Sequence, residues 1–287
     1  MTGTLLSFGH GFSAHALSDQ LIPQGWQVLG TTRTADKAEA LAASGITPLL
    51  WPGTDMRPAL QAATHLLLSI SPNEGGDPVL AALGPEIAAR AGQLKWVGYL
   101  STTGVYGDHQ GGWVDEQTPL TPTTKRGKQR VLAERQWQDL AARTDLPLHI
   151  FRLAGIYGPG RGPFAKVRSG SARRIVKPNQ VFSRIHREDI ATVLQASINA
   201  PNPGAIYNVC DDLAAPPEDV IAHAAGLLGL PLPPAEDFAT AEMTQMARSF
   251  YAESKRVRND RIKTELGVSL RYPTYIEGLA ALLNADP

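Results

Sequence analysis

The chain has 287 residues, of which 43% are apolar and 19% are charged, so it can bury a sizeable core in one large α/β domain or in a large domain with a small partner. This composition excludes collagenous, disordered and coiled-coil proteins. Lys plus Arg and Asp plus Glu number 27 each, so no global field attracts nucleic acid or an anionic membrane, and any anion site must be local.

The cellular location is predicted from cysteine usage and from the N-terminus. The single Cys210 cannot form an internal disulfide, and MTGTLLSFGHGF lacks the charged region and long apolar core of a signal peptide. No apolar run approaches the ~18 residues expected of a membrane span. We therefore expect a cytoplasmic protein that binds neither membrane nor nucleic acid, and we predict no metal site.

Short apolar runs alternate with longer amphipathic segments through the first 150 residues, as in βαβ units whose strands are buried on both faces. With right-handed crossovers, this pattern predicts a doubly wound, mostly parallel Rossmann sheet in an α/β fold. The predicted strands are TLLSF (4–8), WQVLGT (26–31), TPLLW (47–51), THLLLSI (64–70), KWVGYLS (95–101) and PLHIFR (147–152). The predicted helices are 13–23, 35–43, 78–91 and 128–143.

The pattern changes after residue 155, where YGPGRGP (157–163) opens an irregular section. A strand AIYNV (205–209) and a helix over 216–229 are predicted further on. We predict an NAD(P)-binding Rossmann domain over 1–160 and a mainly substrate-side lobe over 161–287, with segments at about 182–212 returning to the Rossmann core. This small C-terminal lobe should cover the ligand edge of the sheet.

The stretch FGHGFSA places Gly9, Gly11 and Ala14 in GxGxxA spacing, after the first predicted strand and at the start of a predicted helix. Glycines permit a tight turn and let backbone N–H groups approach a pyrophosphate at the positive helix end, while a small alanine lets helix and strand pack closely. The predicted cofactor contacts are Gly9, Gly11, Phe12, Ser13 and Ala14. The alternative is an empty structural turn.

The end of the second strand normally selects the cofactor, because an Asp or Glu about 20 residues beyond the first glycine holds the ribose 2′-hydroxyl. Here the stretch is GTTRTADK (30–37), in which Arg33 occupies this region. A guanidinium can pair with a 2′-phosphate through two hydrogen bonds. NADP is therefore predicted over NAD; the alternative is a solvent-facing arginine on a loop.

The stretch SISP (69–72) follows the fourth predicted strand, where the chain would pass beneath the cofactor. Ser69 and Ser71 are small enough to leave room for it, and both are predicted cofactor contacts. An ordinary turn before the helix at residue 78 explains them equally well.

Five segments, in the expected order and spread over nearly the whole chain, resemble the extended and atypical short-chain dehydrogenase/reductases, the NAD-dependent epimerase/dehydratase superfamily. The first resembles the family's fifth strand ending in VYG, and the second resembles its next strand. The third resembles a return into a helix, the fourth a late strand and the fifth the closing segment. The five are YLSTTGVYG (99–107), FRLAGIYGPG (151–160), FSRIHREDIA (182–191), AIYNVCDD (205–212) and ELGVSLRYPTYIEGL (265–279).

The resemblance implies three catalytic positions. Thr102 falls on the family's catalytic Ser/Thr, whose hydroxyl hydrogen-bonds the substrate oxygen. The family's base is a tyrosine four residues before a lysine, and a Glu follows four residues after that lysine. Anchoring on Glu134 puts Arg130 at the lysine position and Arg126 at the tyrosine position.

The family's tyrosine is missing in any register, because no Tyr occurs between Tyr106 and Tyr157. The phenol has a pKa of about 10, which the adjacent lysine and the nicotinamide charge lower so that it exchanges a proton near neutral pH. Arginine stays protonated and cannot do so. Shifted pairs such as Thr124/Lys128 or Thr121/Lys125 keep a lysine, but an aliphatic hydroxyl is a far poorer acid. Tyr106 and Tyr157 themselves are expected to pack beneath the site.

A basic segment follows the irregular section. From Arg161 to Arg187 there are eight Lys or Arg residues and no Asp or Glu, in a chain that is neutral overall. The resemblance places this region over the substrate pocket, so Arg168, Arg173 and Arg174 are predicted to bind a small anionic substrate. The alternative is a solvated basic face balanced by nearby acids.

The sequence favours two functions. The first is an NADP-dependent oxidoreductase or epimerase/dehydratase-like enzyme acting on an anionic, nucleotide-sugar-like substrate. The second is a non-catalytic NADP-binding redox or ligand sensor, which the missing Tyr–Lys pair favours. A purely structural role fits poorly with an intact glycine turn. The chain is expected to be either a monomer or a homodimer.

Overall fold

The computed structural model describes residues 2–285, and its secondary structure follows the chain order. The strands are β1 (Thr4–Phe8), β2 (Gln27–Thr32), β3 (Thr47–Leu50), β4 (His65–Leu68), β5 (Trp96–Thr102), β6 (Trp113–Val114), β7 (Leu148–Leu153), β8 (Gly155–Tyr157), β9 (Arg174–Val176), β10 (Arg184–His186), β11 (Ile206–Val209), β12 (Ala235–Asp237) and β13 (Arg256–Val257). The helices are α1 (Phe12–Leu21), α2 (Ala35–Ala43), α3 (Arg57–Ala62), α4 (Pro78–Ala89), α5 (Lys125–Thr144), α6 (Phe164–Arg168), α7 (Arg187–Asn199), α8 (Pro217–Leu227), α9 (Gln245–Phe250), α10 (Asp260–Thr264) and α11 (Tyr275–Ala285).

Seven of these strands form one sheet in the order β11-β7-β5-β4-β1-β2-β3, and every neighbouring pair is parallel. All seven strands predicted from the sequence lie in it. From β1 at its centre, the sheet extends to one edge through β2 and β3. It extends to the other edge through β4, β5, β7 and β11. The prediction of a doubly wound Rossmann sheet is therefore confirmed, and its ligand crevice is expected at the carboxyl ends of β1 and β4, where the strand order reverses.

Helices cover both faces of the sheet, because its strands are apolar on both sides. On one face α1 and α7 pack through Leu17 and Val193. On the other face α4 and α5 pack through Leu83 and Trp137. Each fully buried side chain of this size contributes about 1.5–3 kcal/mol. The apolar runs of the strands thus account for the sheet being enclosed rather than solvated on one side.

The chain beyond residue 160 contributes to two regions. Strand β11 pairs with β7 at one edge of the main sheet, and α7 packs on α1. Helices α6, α8 and α11 surround a separate apolar cluster that includes Tyr157, Phe164 and Leu279. The division into domains at residue 160 stays a prediction, and its outer ends, residue 1 and residues 286 and 287, lie outside the described residues.

Two searches of residues 2–285 gave negative findings. No helix there is both long enough and apolar enough to cross a membrane. In the same part of the chain, His, Cys, Asp and Glu side chains form no group of three or more that would hold a metal ion.

Candidate functional site

The turn between β1 and α1 depends on two glycines for different reasons. Gly9 has φ +77°, and a Cβ there would lie 2.7 Å from Cγ1 of Ile70, so the backbone conformation and the packing both require glycine. Its N–H donates to Oγ1 of Thr31 at 2.7 Å, which fixes the turn against β2. A Cβ on Gly11 would meet only the Gly9 carbonyl oxygen, at 3.7 Å. Gly11 therefore faces open space, which is the room that a pyrophosphate needs.

The N-terminus of α1 is open to an anion. Gly11 is its N-cap, no side chain caps the helix, and the first turn contains no acidic residue. The first N–H groups of a helix lack intrahelical partners and carry a partial positive charge. Ser13 and Ala14 are buried, and Ala14 packs in the core between helix and sheet. The local geometry fits the predicted dinucleotide turn.

The two serines after β4 differ in their contacts. The hydroxyl of Ser69 donates to the carbonyl oxygens of Phe8 at 3.2 Å and Gly9 at 2.5 Å. Ser69 thereby supports the glycine turn from the neighbouring strand. Ser71 is exposed and has no hydrogen-bond partner among the described residues. Direct contact of either serine with a cofactor stays a prediction.

Arg33 follows β2 directly, at the carboxyl edge of the sheet. Its side chain is exposed, and within residues 2–285 it forms neither an ion pair nor a hydrogen bond. The neighbouring Thr31 is the residue that binds the Gly9 N–H group. Arg33 thus lies two residues after Thr31, which holds the glycine turn. The N–H donors of its guanidinium are available to a ligand.

Thr102 ends β5 and begins the short 3-10 turn Thr103–Tyr106. Its Oγ1 accepts a hydrogen bond from the Gly104 N–H at 3.2 Å, and the side chain is half-buried. The start of α5 packs against this turn through Gly127, where a Cβ would lie 2.8 Å from the Gly104 carbonyl oxygen. The structure therefore brings the stretch RGKQR (126–130) beside the end of β5, as the resemblance implied.

Arg126 and Arg130 point to different surroundings. Arg126 is exposed, and its Cζ lies 4.7 Å from the ring centroid of Phe250 in α9. Arg130 turns toward β5 and donates from one nitrogen, NH1, to the Leu100 carbonyl oxygen at 2.7 Å and to the Tyr99 hydroxyl at 3.0 Å. No contact within the described chain joins either guanidinium to Thr102. Arg130 fastens α5 to β5, and the catalytic roles of both arginines stay predictions.

Tyr106 and Tyr157, the tyrosines on either side of the tyrosine-free segment 107–156, are both buried. The Tyr106 hydroxyl is fully buried, donates to Oδ1 of Asn208 at 2.7 Å and accepts a bond from Arg152 at 3.0 Å. Burial raises the pKa of Tyr106 to about 12. Burial also raises the pKa of Tyr157, whose ring packs in the lobe's apolar cluster. Both geometries agree with packing roles.

A buried ion pair behind Thr102 has a role that the sequence did not reveal, although Glu134 served as an alignment anchor. Glu134 and Arg152 are 1% and 3% exposed, and NH2 of the arginine lies 2.8 Å from Oε2 of the glutamate. The Ser101 hydroxyl donates to Oε1 of Glu134 at 2.5 Å. The pair joins β5, α5 and β7 below the candidate site. The available signal was an arginine inside the strand LHIFRL, which is apolar apart from Arg152 and His149.

The three predicted anion-binding arginines all have partners within the protein. Arg173 forms an ion pair with Glu236 at 2.9 Å, although no acid lies in its own segment. Arg174 donates from Nε to the Pro233 carbonyl oxygen at 2.9 Å. The Cζ of Arg168 lies 5.9 Å from the Phe164 ring centroid. Binding of an anionic substrate by these three residues stays a prediction.

Comparison with known proteins connects this site to a family. The sequence pattern of the NAD dependent epimerase/dehydratase family matches residues 86–210. Protein YeeZ of Escherichia coli K12 is 32% identical over 279 residues, which cover 92% of this chain and 94% of YeeZ. The solved structure of a conserved protein of unknown function from Silicibacter pomeroyi is 66% identical, with a TM-score of 0.95 and 99% of each chain covered. UDP-glucuronic acid 4-epimerase from Bacillus cereus, solved with NAD, shares the fold at 16% identity and a TM-score of 0.78, over 98% of this chain and 97% of that chain.

Proposed function

The chain belongs to the NAD dependent epimerase/dehydratase family, and on that premise we propose that it binds a nicotinamide dinucleotide and acts as an oxidoreductase or epimerase on a small anionic, nucleotide-sugar-like substrate. The observation that carries the proposal is the open, uncapped N-terminus of α1 behind Gly11. The Bacillus cereus relative, which is named for a nucleotide-sugar substrate and was solved with NAD, supports the choice of ligands.

The chain's own residues divide the work of binding. Backbone N–H groups at Gly11 and the first turn of α1 hold the pyrophosphate, because they lack other acceptors. Arg33 pairs with the 2′-phosphate of NADP. The bound nicotinamide supplies or accepts a hydride. Thr102 keeps its hydroxyl at the end of β5 and donates a hydrogen bond to the substrate oxygen.

Proton transfer differs from that of the family pattern. Arg126 presents a fixed positive charge that binds an anionic group or stabilises an oxyanion, but it cannot remove a hydroxyl proton. NH1 of Arg130 is held by Leu100 and Tyr99. We propose that water supplies or accepts the proton on the substrate oxygen, so the reaction is slow on ordinary family substrates.

The cofactor preference gives a direct prediction. Wild-type protein should bind NADP more tightly than NAD, and Arg33→Ala should weaken NADP about ten-fold while leaving NAD unchanged, because a hydrogen bond to a charged group contributes about 1.5–3 kcal/mol. Calorimetric titration of both cofactors measures this. Arg135→Ala is the matched control, because it also removes an exposed arginine, but one that lies on α5. Equal affinity of the wild type for the two cofactors would contradict the preference.

A non-catalytic sensor is the second candidate function. It is favoured by the contacts of Arg130, which tie the residue at the lysine position to β5 rather than to Thr102. In that case cofactor binding would alter contacts with a partner without turnover. The exposed Arg126, which lies over Phe250, would then connect the cofactor side of α5 with α9.

Restoring the family's pair separates the two functions. We expect Arg126→Tyr with Arg130→Lys to raise hydride transfer at least ten-fold over wild type on a panel of carbonyl and nucleotide-sugar substrates, because general acid–base catalysis contributes typically 10²–10⁴-fold. The readout is nicotinamide absorbance. Fast wild-type turnover that survives both Arg126→Ala and Thr102→Ala would show that the site is misplaced. Tight cofactor binding with no turnover by wild type or double variant would favour the sensor.

A further inference from the structure

Two arginines from distant parts of the chain lie against the first residue of α1. The Cζ atoms of Arg161 and Arg187 are 5.6 Å and 5.1 Å from the ring centroid of Phe12. Phe12 directly follows Gly11, and side chains on a helix lean toward its N-terminus. The ring and the two guanidinium groups therefore form one cluster at the first residue of α1, and the Arg187 group also reaches Asp19 further along the same helix.

A short hairpin holds Arg161 in this place. The N–H of Gly158 donates to the Arg161 carbonyl oxygen at 3.0 Å, and the N–H of Arg161 donates back to the Gly158 carbonyl oxygen at 2.9 Å. Gly160 completes the turn with φ +68°. A Cβ on Gly158 would lie 3.0 Å from Cζ of Phe12 and 2.8 Å from Cγ of Arg187. The missing side chain at residue 158 thus lets the hairpin approach α1.

The two guanidinium groups carry more positive charge than their surroundings neutralise. The Arg161 side chain is exposed and forms no ion pair or hydrogen bond with any described residue. Arg187 donates from NH2 to Oδ2 of Asp19 at 2.9 Å, and its side chain is 19% exposed. Its Nε is fully buried and has no acceptor among the described atoms. Buried N–H groups are rarely left unpaired, so the protein itself does not use all of the hydrogen-bonding capacity of Arg187.

We infer that Arg161 and Arg187 bind the pyrophosphate of the dinucleotide, together with the N–H groups of α1. The inference rests on the proposed function and adds two residues to its site. The two phosphates carry about two negative charges, which two guanidinium groups match through charge-assisted hydrogen bonds. Cofactor binding then fastens the hairpin 158–161 and the start of α7 onto α1. Arg33, at the end of β2, binds the separate 2′-phosphate of NADP.

The test compares ligands that do and do not contain a pyrophosphate. Arg161→Met and Arg187→Met remove the charges and keep an apolar stem beside Phe12. Each should raise the Kd of NAD, NADP and ADP-ribose by the same factor, about three- to ten-fold for the exposed Arg161 and about ten-fold for the more buried Arg187. Adenosine 2′-phosphate lacks the pyrophosphate, so both variants should bind it with the same Kd as wild type. Arg135→Met is the matched control.

A further variant separates ligand binding from the ion pair within the protein. If Arg187 merely stabilises α1 through Asp19, then Asp19→Asn should weaken the cofactors as Arg187→Met does, and that result would overturn the inference. We expect Asp19→Asn to bind NAD as tightly as wild type or more tightly. If Arg187→Met fails to fold, the exposed Arg161→Met variant still decides.

The outcomes also distinguish this inference from the proposed function. Wild-type NAD affinity in both methionine variants, with loss of binding in a Gly11 variant, would exclude the arginines and leave the dinucleotide site in place. Absence of binding of NAD and NADP to wild type would overturn both. Equal weakening of NAD and NADP in both methionine variants, beside a selective loss of NADP in Arg33→Ala, would support both.

Discussion

Replacing Gly11 with threonine should weaken NAD and NADP together by at least about a hundred-fold, since two lost hydrogen bonds to a charged pyrophosphate amount to about 3 kcal/mol or more. The new side chain would enter the open space before α1, and its hydroxyl would compete for the N–H groups that bind the phosphates. Calorimetric titration of both cofactors measures the loss.

This substitution should leave the fold intact. Gly11 has φ −116° and ψ −156°, which any residue adopts, and a Cβ there meets no atom closer than 3.7 Å. Threonine and glycine are comparable N-caps. The melting temperature should therefore stay near that of wild type, as for Gly226→Thr at an exposed helix position with open space around it. Unchanged affinity for both cofactors would mean that the turn is only structural.

Glu134→Ala should lower the free energy of unfolding by roughly 3–5 kcal/mol, because it leaves the charge of Arg152 buried without its partner. Arg152 is 3% exposed and donates from Nε and NH2 to the two carboxylate oxygens. The substitution also strands the Ser101 hydroxyl, which neighbours Thr102. Urea denaturation measures the change.

The loss of unfolding free energy in Glu134→Ala should depend on whether Arg152 keeps its charge. The double variant Glu134→Leu with Arg152→Met removes both charges, so no charge is left unpaired. Its loss of unfolding free energy should be clearly smaller than the sum of the losses of the two single substitutions. Breaking the exposed pair of Arg258 and Asp260 by Asp260→Ala is the control, with an expected change under about 1 kcal/mol. A loss below about 1 kcal/mol for Glu134→Ala would contradict the assigned importance of the buried pair.

The main sheet could be predicted because its strands are short apolar runs separated by helical periodicity. The lobe could not be predicted in detail, because its strands have two or three residues and pair over long distances, as β9 does with β12. Helix α5 begins at Lys125, three residues before the predicted start, because Thr124 caps it by accepting a hydrogen bond from the Gly127 N–H. A single capping residue before a glycine gives little periodic signal.

In the candidate site, features formed by consecutive residues could be predicted, and contacts between distant segments could not. The glycine turn is contained in seven consecutive residues, FGHGFSA, and its spacing predicted its position. The partners of Arg130 in β5 and of Arg173 in β12 depend on how distant segments pack, so their side chains looked available in the sequence. Arg161 and Arg187 lie beside Phe12 for the same reason, and no spacing rule relates them to the glycine turn.

The central claim is that this chain binds a nicotinamide dinucleotide through the N-terminus of α1. Titration of wild-type protein with NADPH and NADH, followed by the fluorescence of the reduced nicotinamide, tests it most directly. Saturable binding with one site per chain, tighter for NADPH and lost for both cofactors in Gly11→Thr, is the predicted result. Absence of saturable binding of either cofactor to the folded wild type would contradict the claim.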